Sequence, residues 1–156
     1  MLRDCYPTVE PVTVTPALRL RTDPVLAQLD HLLDDATLFE RVKADFGRRW
    51  PPTLHTGRPS TPVAVVLRLL FVKRLYGWSY AETTRIVGDS LSLRQFCRLG
   101  RERVPERTTL LRWGRLLQPQ TLQTVLDHSV HLAQRLQVSR GRKLRVDSTV
   151  VPTTIH

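Results

Sequence analysis

The stretch Thr61-Pro-Val-Ala-Val-Val-Leu-Arg-Leu-Leu-Phe-Val-Lys-Arg-Leu-Tyr-Gly77 decides the fold of this chain of 156 residues. Ser60 or Thr61 is suited to cap a helix at its start, and Gly77 is a good left-handed terminator at its end. Between them the apolar face is nearly continuous, and only Arg68 interrupts the longest apolar run. Such a helix has to be surrounded by other elements. We therefore predict a central core helix and a mainly α fold.

Two shorter helices are predicted before the core helix. Apolar residues recur at helical spacing over about 24–35 and again over roughly 37–46. Residues 1–21 contain prolines that prevent a helix, which predicts a loose or extended arm. We therefore assign residues 1–56 to an extended arm followed by N-terminal helices.

Residues 57–138 are predicted to form a second, helical domain. After the core helix, the segment 79–117 has the pattern of three short helices separated by tight turns. Ser79-Tyr-Ala-Glu82 is a capping box, in which Ser79 accepts from the Glu82 N–H while Glu82 reaches back. A long amphipathic helix over about 120–137 completes the domain.

The positive charge of the chain is concentrated in its middle. Residues 58–118 carry 12 basic and 4 acidic side chains, a net charge of +8, whereas residues 1–57 carry 7 and 8. The exposed positions of the three short helices are mostly arginine, whose guanidinium suits bidentate contact with phosphate: Arg85, Arg94, Arg98, Arg101, Arg103, Arg107, Arg112 and Arg115. This distribution favours a polyanionic partner. A solvated, arginine-rich surface without a ligand is the alternative interpretation.

The segment 79–117 has the layout of a helix-turn-helix reader, in which one helix crosses the DNA backbone and a second enters the major groove. Thr108, Thr109 and Arg112 are expected on the first turns of a helix over about 106–117. There a hydroxyl or guanidinium can reach a phosphate or a base edge, helped by the helix N-terminus. We therefore predict DNA contact through these three residues and the arginines named above, although helical bundles often carry surface arginines.

A short β-like run within residues 139–156 holds a single carboxylate, Asp147. In Leu144-Arg-Val-Asp147, alternation places Arg145 and Asp147 on the face opposite the apolar side chains. A carboxylate on a buried strand can be stabilised by Mg²⁺, which also binds phosphate oxygens. Chemistry with two metal ions needs more carboxylates than one Asp. From the residues alone, an Asp that accepts from nearby N–H groups is the simpler interpretation.

Several other classes of site are not indicated. Cys5 and Cys97 lie far apart, so neither a disulfide framework nor a CxxC zinc site is predicted, and a reducing cytoplasm fits. No run approaches the ~18 apolar residues of a membrane span, and no signal-peptide pattern is present. Trp78 and Trp113 lie near arginines, yet we favour a place in the core over base stacking for both.

Six short motifs follow one another over residues 57–156: Gly57-Arg-Pro59, Leu67-Arg-Leu-Leu70, Leu75-Tyr-Gly-Trp-Ser-Tyr80, Ser92-Leu-Arg-Gln-Phe-Cys97, Val104-Pro-Glu-Arg-Thr-Thr-Leu110 and Leu144-Arg-Val-Asp-Ser-Thr-Val150. In order and spacing they resemble the N-terminal region of InsH-type insertion-sequence transposases of the DDE class, the fifth insertion-sequence family and its relatives.

The resemblance implies a helical domain that binds the terminal inverted repeats of an insertion sequence and leads into an RNase H-like catalytic fold. It implies that residues 139–156 contain the first strand of that fold and that Asp147 is the first Asp of the DDE triad, with Mg²⁺ as the cofactor of the full-length family. No Asp or Glu follows Asp147. We therefore expect a chain truncated after the first catalytic Asp, with no cofactor of its own and no strand-transfer activity alone.

Three functions stay open at this point. The chain binds double-stranded DNA at the element ends, as an N-terminal fragment of a transposase acting in DNA transposition. Alternatively, it regulates or inhibits the full-length transposase, or it is the first half of a split or frameshifted enzyme. Besides DNA, the expected partners are a second copy of the chain or the full-length transposase. The expected location is the cytoplasm, in association with the nucleoid.

Overall fold

The computed structural model describes residues 1–7, 24–48, 57, 59–125 and 127. Within these residues the chain forms six α-helices: α1 (Pro24–Leu33), α2 (Ala36–Gly47), α3 (Val63–Tyr76), α4 (Tyr80–Asp89), α5 (Leu91–Phe96) and α6 (Arg107–Gly114). Residues 119–125 begin a further helical segment, and no β-strand occurs in the described part of the chain. The mainly α class is confirmed for these residues. The β-strand predicted around Asp147 lies outside them.

Helix α3 is the centre of the core, as the sequence predicts. Val63, Val66, Leu69 and Val72 are buried on different sides of it, and it packs against α2, α4 and α6. Its C-cap is Gly77, in the left-handed region with φ of 68°. The interpretation of this stretch as a helix surrounded by other elements is therefore confirmed.

The start of α3 is capped differently from the prediction. The N-cap residue is Pro62, which makes no side-chain hydrogen bond, rather than Ser60 or Thr61. Instead, the first backbone N–H groups of α3 donate to the N-terminal segment: Val63 to the carbonyl of Arg3 at 2.8 Å and Ala64 to that of Asp4 at 3.1 Å. A helix start leaves such donors without intrahelical acceptors. Here the first residues of the chain take the place of a capping side chain.

A buried arginine joins α1 to α3. The Arg68 side chain is only 1% exposed, and its guanidinium donates to Asp30 at 2.7 Å and to Asp34 at 2.7 Å. Burial by itself raises the pKa of Asp34, but the hydrogen bonds and positive charges of Arg68 and Arg98 outweigh it and hold that pKa below its ordinary value. A buried guanidinium is tolerated when it is paired and hydrogen-bonded in this way.

Helices α4 and α6 pack against α3 and against each other, and α5 packs against α4 and α1. The capping box predicted at the start of α4 is confirmed, since Ser79 and Glu82 each accept the other's backbone N–H. Ser90 caps α5 directly after α4 ends. The connection from α5 to α6, residues 97–106, is longer than the ~3–4-residue turn of a helix-turn-helix. The helix-turn-helix assignment therefore stays a prediction.

None of the helices in the described ranges has the length and apolar character that crossing a membrane requires.

Candidate nucleic-acid interface

Helix α6 has one buried face and one basic face. Leu110 and Trp113 point into the core and are 0% and 7% exposed. Thr108, Arg112 and Arg115 follow one another at the i, i+4, i+7 spacing that places residues on one side of a helix, and all three are exposed. This stripe lies opposite the buried face. The candidate contact residues Thr108, Arg112 and Arg115 are therefore brought together on one surface.

The loop before α6 and the first residue of that helix add to this surface. Arg101 and Arg103 are exposed in the loop, Arg107 is exposed at the start of α6, and Thr109 is half-buried beside it. Within the described ranges, Arg103, Arg107, Arg112 and Arg115 take part in none of the ion pairs. Guanidinium groups without an internal carboxylate are available to an anionic ligand. We call residues 101–115 the arginine surface.

Two of the predicted contact residues are used inside the domain instead. Arg94, half-buried on α5, donates to the backbone carbonyls of Gly100 at 3.0 Å and Glu102 at 2.6 Å. Arg98 has a left-handed backbone with φ of 54°, and it donates to Asp34 at 2.6 Å. Nε and Nη2 of Arg94 and Nη2 of Arg98 therefore donate to acceptors within the domain.

Arg85 lies apart from both groups. It is exposed on α4, 3.9 Å from Asp89 one turn later, with both side chains more than two thirds in solvent. An exposed pair of this kind contributes little to stability. Arg85 is therefore free to reorient, on a different helix from the arginine surface.

Both tryptophans contact the core, as we favoured from the sequence, but they differ in how deeply they are buried. Trp113 is buried against Phe46, with ring centroids 4.8 Å apart. Trp78 is half-buried against the core, and its ring stacks on that of Tyr76 at 4.6 Å. Core packing is confirmed for Trp113, whereas Trp78 also contributes to the surface.

The structural roles of Arg68, Arg94 and Arg98 were not predicted. The interruption of the apolar run by Arg68 was visible in the sequence, but its carboxylate partners were not. No local pattern separates Arg94 from the exposed arginines. Burial of the Cys97 thiol raises its pKa, and this burial could have been predicted because Cys97 continues the apolar spacing of α5.

In the described part of the chain, no group of three His, Cys, Asp or Glu side chains is placed to hold a metal ion. Asp147 lies outside that part, so its role in binding Mg²⁺ stays a prediction.

Arginines clustered on one face of a domain are a common feature of nucleic-acid-binding surfaces. The family model described as Transposase domain (DUF772) matches residues 17–116, which include all of α1 to α6. The chain belongs to this transposase domain family. Comparison with curated proteins and with solved structures gave no match. The resemblance to transposases is thereby confirmed at the level of the family.

Proposed function

We propose that this domain binds double-stranded DNA at the ends of a mobile element, through the arginine surface formed by residues 101–115. The observation that carries the proposal is that Arg103, Arg107, Arg112 and Arg115 are exposed and take part in none of the ion pairs among the described residues. Because the chain belongs to a transposase domain family, the DNA of a mobile element is the polyanion that we expect this surface to bind. The InsH type and the terminal inverted repeats as target are part of this proposal.

The dimensions of α6 fit this role. Arg107 and Arg115 are separated by eight positions, which at 1.5 Å per residue is about 12 Å along the helix. The major groove of B-DNA is also about 12 Å wide. Arginines at the two ends of α6 can therefore reach phosphates on both sides of the groove, while Thr108 and Arg112 face the base edges between them. In this arrangement the outer arginines supply affinity and the central pair supplies sequence preference.

The test is binding of the purified chain to two duplexes, one carrying the terminal repeat of the element and one with the same bases scrambled. We expect tighter binding to the repeat and a steep loss of affinity as salt rises, because each phosphate contact contributes a slope of about 0.9 in log K against log salt. No binding to either duplex at low salt, by a folded protein, would overturn the proposal. Equal affinity for both would remove its sequence-specific part.

Substitutions assign the contact to the surface. Arg107→Ala and Arg112→Ala should each weaken binding several-fold, and Arg107→Ala should also lower the salt slope by about 1, since one phosphate contact is lost. Arg41→Ala is the matched control, because it removes an equal charge from the exposed face of α2. Equal effects of all three substitutions would show that only the net charge matters.

A further inference from the structure

We propose that Arg94 is a positioning residue, which fixes the path of the loop from α5 to α6 so that Arg101 and Arg103 are presented to DNA together with α6. The inference rests on the proposed function of the arginine surface and assigns its internal support. It distinguishes Arg94, which is half-buried, from the exposed arginines of the domain. It also assigns a structural role to Arg94, which the charge pattern of the sequence predicts as a DNA contact.

The hydrogen bonds of Arg94 carry the inference. Its Nε and Nη2 donate to the carbonyl oxygen of Gly100 at 3.2 and 3.0 Å, and Nη2 donates to that of Glu102 at 2.6 Å. One planar guanidinium thus bridges two carbonyls of the loop, six and eight residues further along the chain. Its rigid fork of donors makes this bridge possible, and a lysine ammonium lacks that geometry.

The loop has a conformation that needs such support. Arg98 and Gly100 are both in the left-handed region, with φ of 54° and 52°. A residue with a Cβ adopts this region at a cost in free energy. The Arg98 side chain is tied to Asp34, the residue that follows α1, at 2.6 Å, and Leu99, between Arg98 and Gly100, is buried. The loop is therefore anchored to α1 through Arg98 and to α5 through Arg94.

Fixing the loop before DNA arrives has a consequence for affinity. Side chains that are already placed lose less conformational freedom on binding than those of a loose loop. Arg101 and Arg103 lie on either side of Glu102, whose carbonyl receives the shortest of the Arg94 bonds. Releasing that carbonyl therefore affects both arginines at once. Nε and Nη2 of Arg94 itself are thereby used for the loop and not for phosphate.

The experiment is a double-mutant cycle on DNA binding, measured over a range of salt concentrations. The variants are Arg94→Lys, Arg101→Ala with Arg103→Ala, and all three changes combined. Arg94→Lys keeps the charge but loses the rigid planar fork of donors that holds the two carbonyls in place. If Arg94 positions the loop, Arg94→Lys should lower the salt slope by up to about 1.8, the value for two lost phosphate contacts, and the triple variant should bind no more weakly than the double.

The opposite results overturn the inference. If Arg94 contacts phosphate itself, Lys replaces it, so that the slope of Arg94→Lys stays at the wild-type value. Additive losses in the triple variant would show that Arg94 and the two loop arginines act independently. Arg115→Ala combined with Arg94→Lys is the matched control, and its losses should add, because Arg115 follows α6 and does not depend on the loop.

Unfolding measurements on the same variants separate their effects on stability from their effects on DNA binding. Thermal unfolding of each variant shows whether Arg94→Lys stays folded. Should that variant unfold, Arg94→Gln, which retains one amide donor, takes its place in the cycle with the same expectations for additivity. Absence of DNA binding by the wild type overturns the proposed function itself. Wild-type binding that Arg101→Ala with Arg103→Ala leaves unchanged overturns only the role of Arg94.

Discussion

Arg68 is far less exposed to solvent than the two carboxylates with which it pairs. Its own side chain is 1% exposed, while those of its partners Asp30 and Asp34 are 43% and 46% exposed. Water therefore reaches the carboxylates but not the guanidinium. The cost of breaking this group depends on which side is removed, because only a buried charge without a partner carries the full desolvation penalty.

Removing the two carboxylates should destabilise the domain more than removing the arginine. Asp30→Ala with Asp34→Ala leaves a buried guanidinium without a countercharge, and we expect a loss of about 3 kcal/mol in the free energy of unfolding. Arg68→Met fills a similar volume and leaves two carboxylates that water can solvate, with an expected loss of about 1 kcal/mol. Urea unfolding at pH 7 measures both. A larger loss for Arg68→Met would show that burial of the guanidinium does not decide the cost of breaking this ion network.

Which residues form the ion network was not predictable from the sequence. Arg68 and Asp30 are 38 positions apart, and Arg98 and Asp34 are 64 apart. Patterns within one turn of helix carry no information on such pairs. By contrast, the Ser79–Glu82 box was predictable because both partners lie within three residues and make local bonds.

Element boundaries were predicted where a local signal fixes them. Gly77 ends α3 and Ser79 begins α4 as expected. Helix α6 ends at Gly114, earlier than the Leu117 that its apolar pattern suggested. At this end of α6, Gly114 lies close to Tyr80 of α4 and Leu70 of α3. Interhelical contacts of this kind are not encoded in the periodicity of one helix.

The contact between α4 and α6 should be sensitive to one methyl group. A Cβ at Gly114 would lie 2.9 Å from Tyr80 Oη and 3.3 Å from Leu70 Cδ2, whereas at Gly88 the nearest atom is 3.9 Å away. Gly88→Ala should stabilise the domain by up to about 1 kcal/mol, through helix propensity. Gly114→Ala has the same gain in propensity, but overcrowding should offset it by about 1–3 kcal/mol.

A second substitution tests the cause of the difference. Tyr80→Phe removes the closest oxygen, so Gly114→Ala should cost less in that background than in the wild type. Thermal or urea unfolding of the four combinations gives the coupling free energy. Zero coupling, with Gly114→Ala as stabilising as Gly88→Ala, would show that α4 and α6 are less closely packed than described.

At the scale of the whole molecule, the acidic and basic parts of the sequence are connected through the core. Residues 1–57 have a net charge of −1 and residues 58–118 of +8, and the sequence suggested two separate regions. In the structure, carboxylates of the first region neutralise Arg68 and Arg98 of the second. Arg103, Arg107, Arg112 and Arg115 of the arginine surface take no part in this pairing. The sequence showed the excess of charge but not which arginines produce it.

Asp45 connects the two parts of the sequence over a greater distance than either arginine pair does. It lies on α2, is 4% exposed, and its Oδ2 accepts the backbone N–H of Gln118 at 2.9 Å, across 73 positions of sequence. Gln118 directly precedes the helical residues 119–125. The carboxylate therefore acts as a cap supplied by a distant helix, at a point where an N-terminal backbone donor has no acceptor within its own helix.

Loss of this cap should loosen the start of the 119–125 segment and weaken the whole fold. Asp45→Ala leaves the Gln118 N–H without an acceptor, and we expect a loss of about 1–3 kcal/mol in the free energy of unfolding. Asp45→Asn retains a carbonyl oxygen that can accept, so its loss should be smaller. Amide hydrogen exchange at Gln118 should accelerate in the order wild type, Asn, Ala. Asp89→Ala, which removes an exposed carboxylate from α4, is the control and should leave that exchange rate unchanged. Because the backbone N–H of Gln118 is the measured group, faster exchange confined to other segments would show that Asp45 stabilises the fold by a different contact.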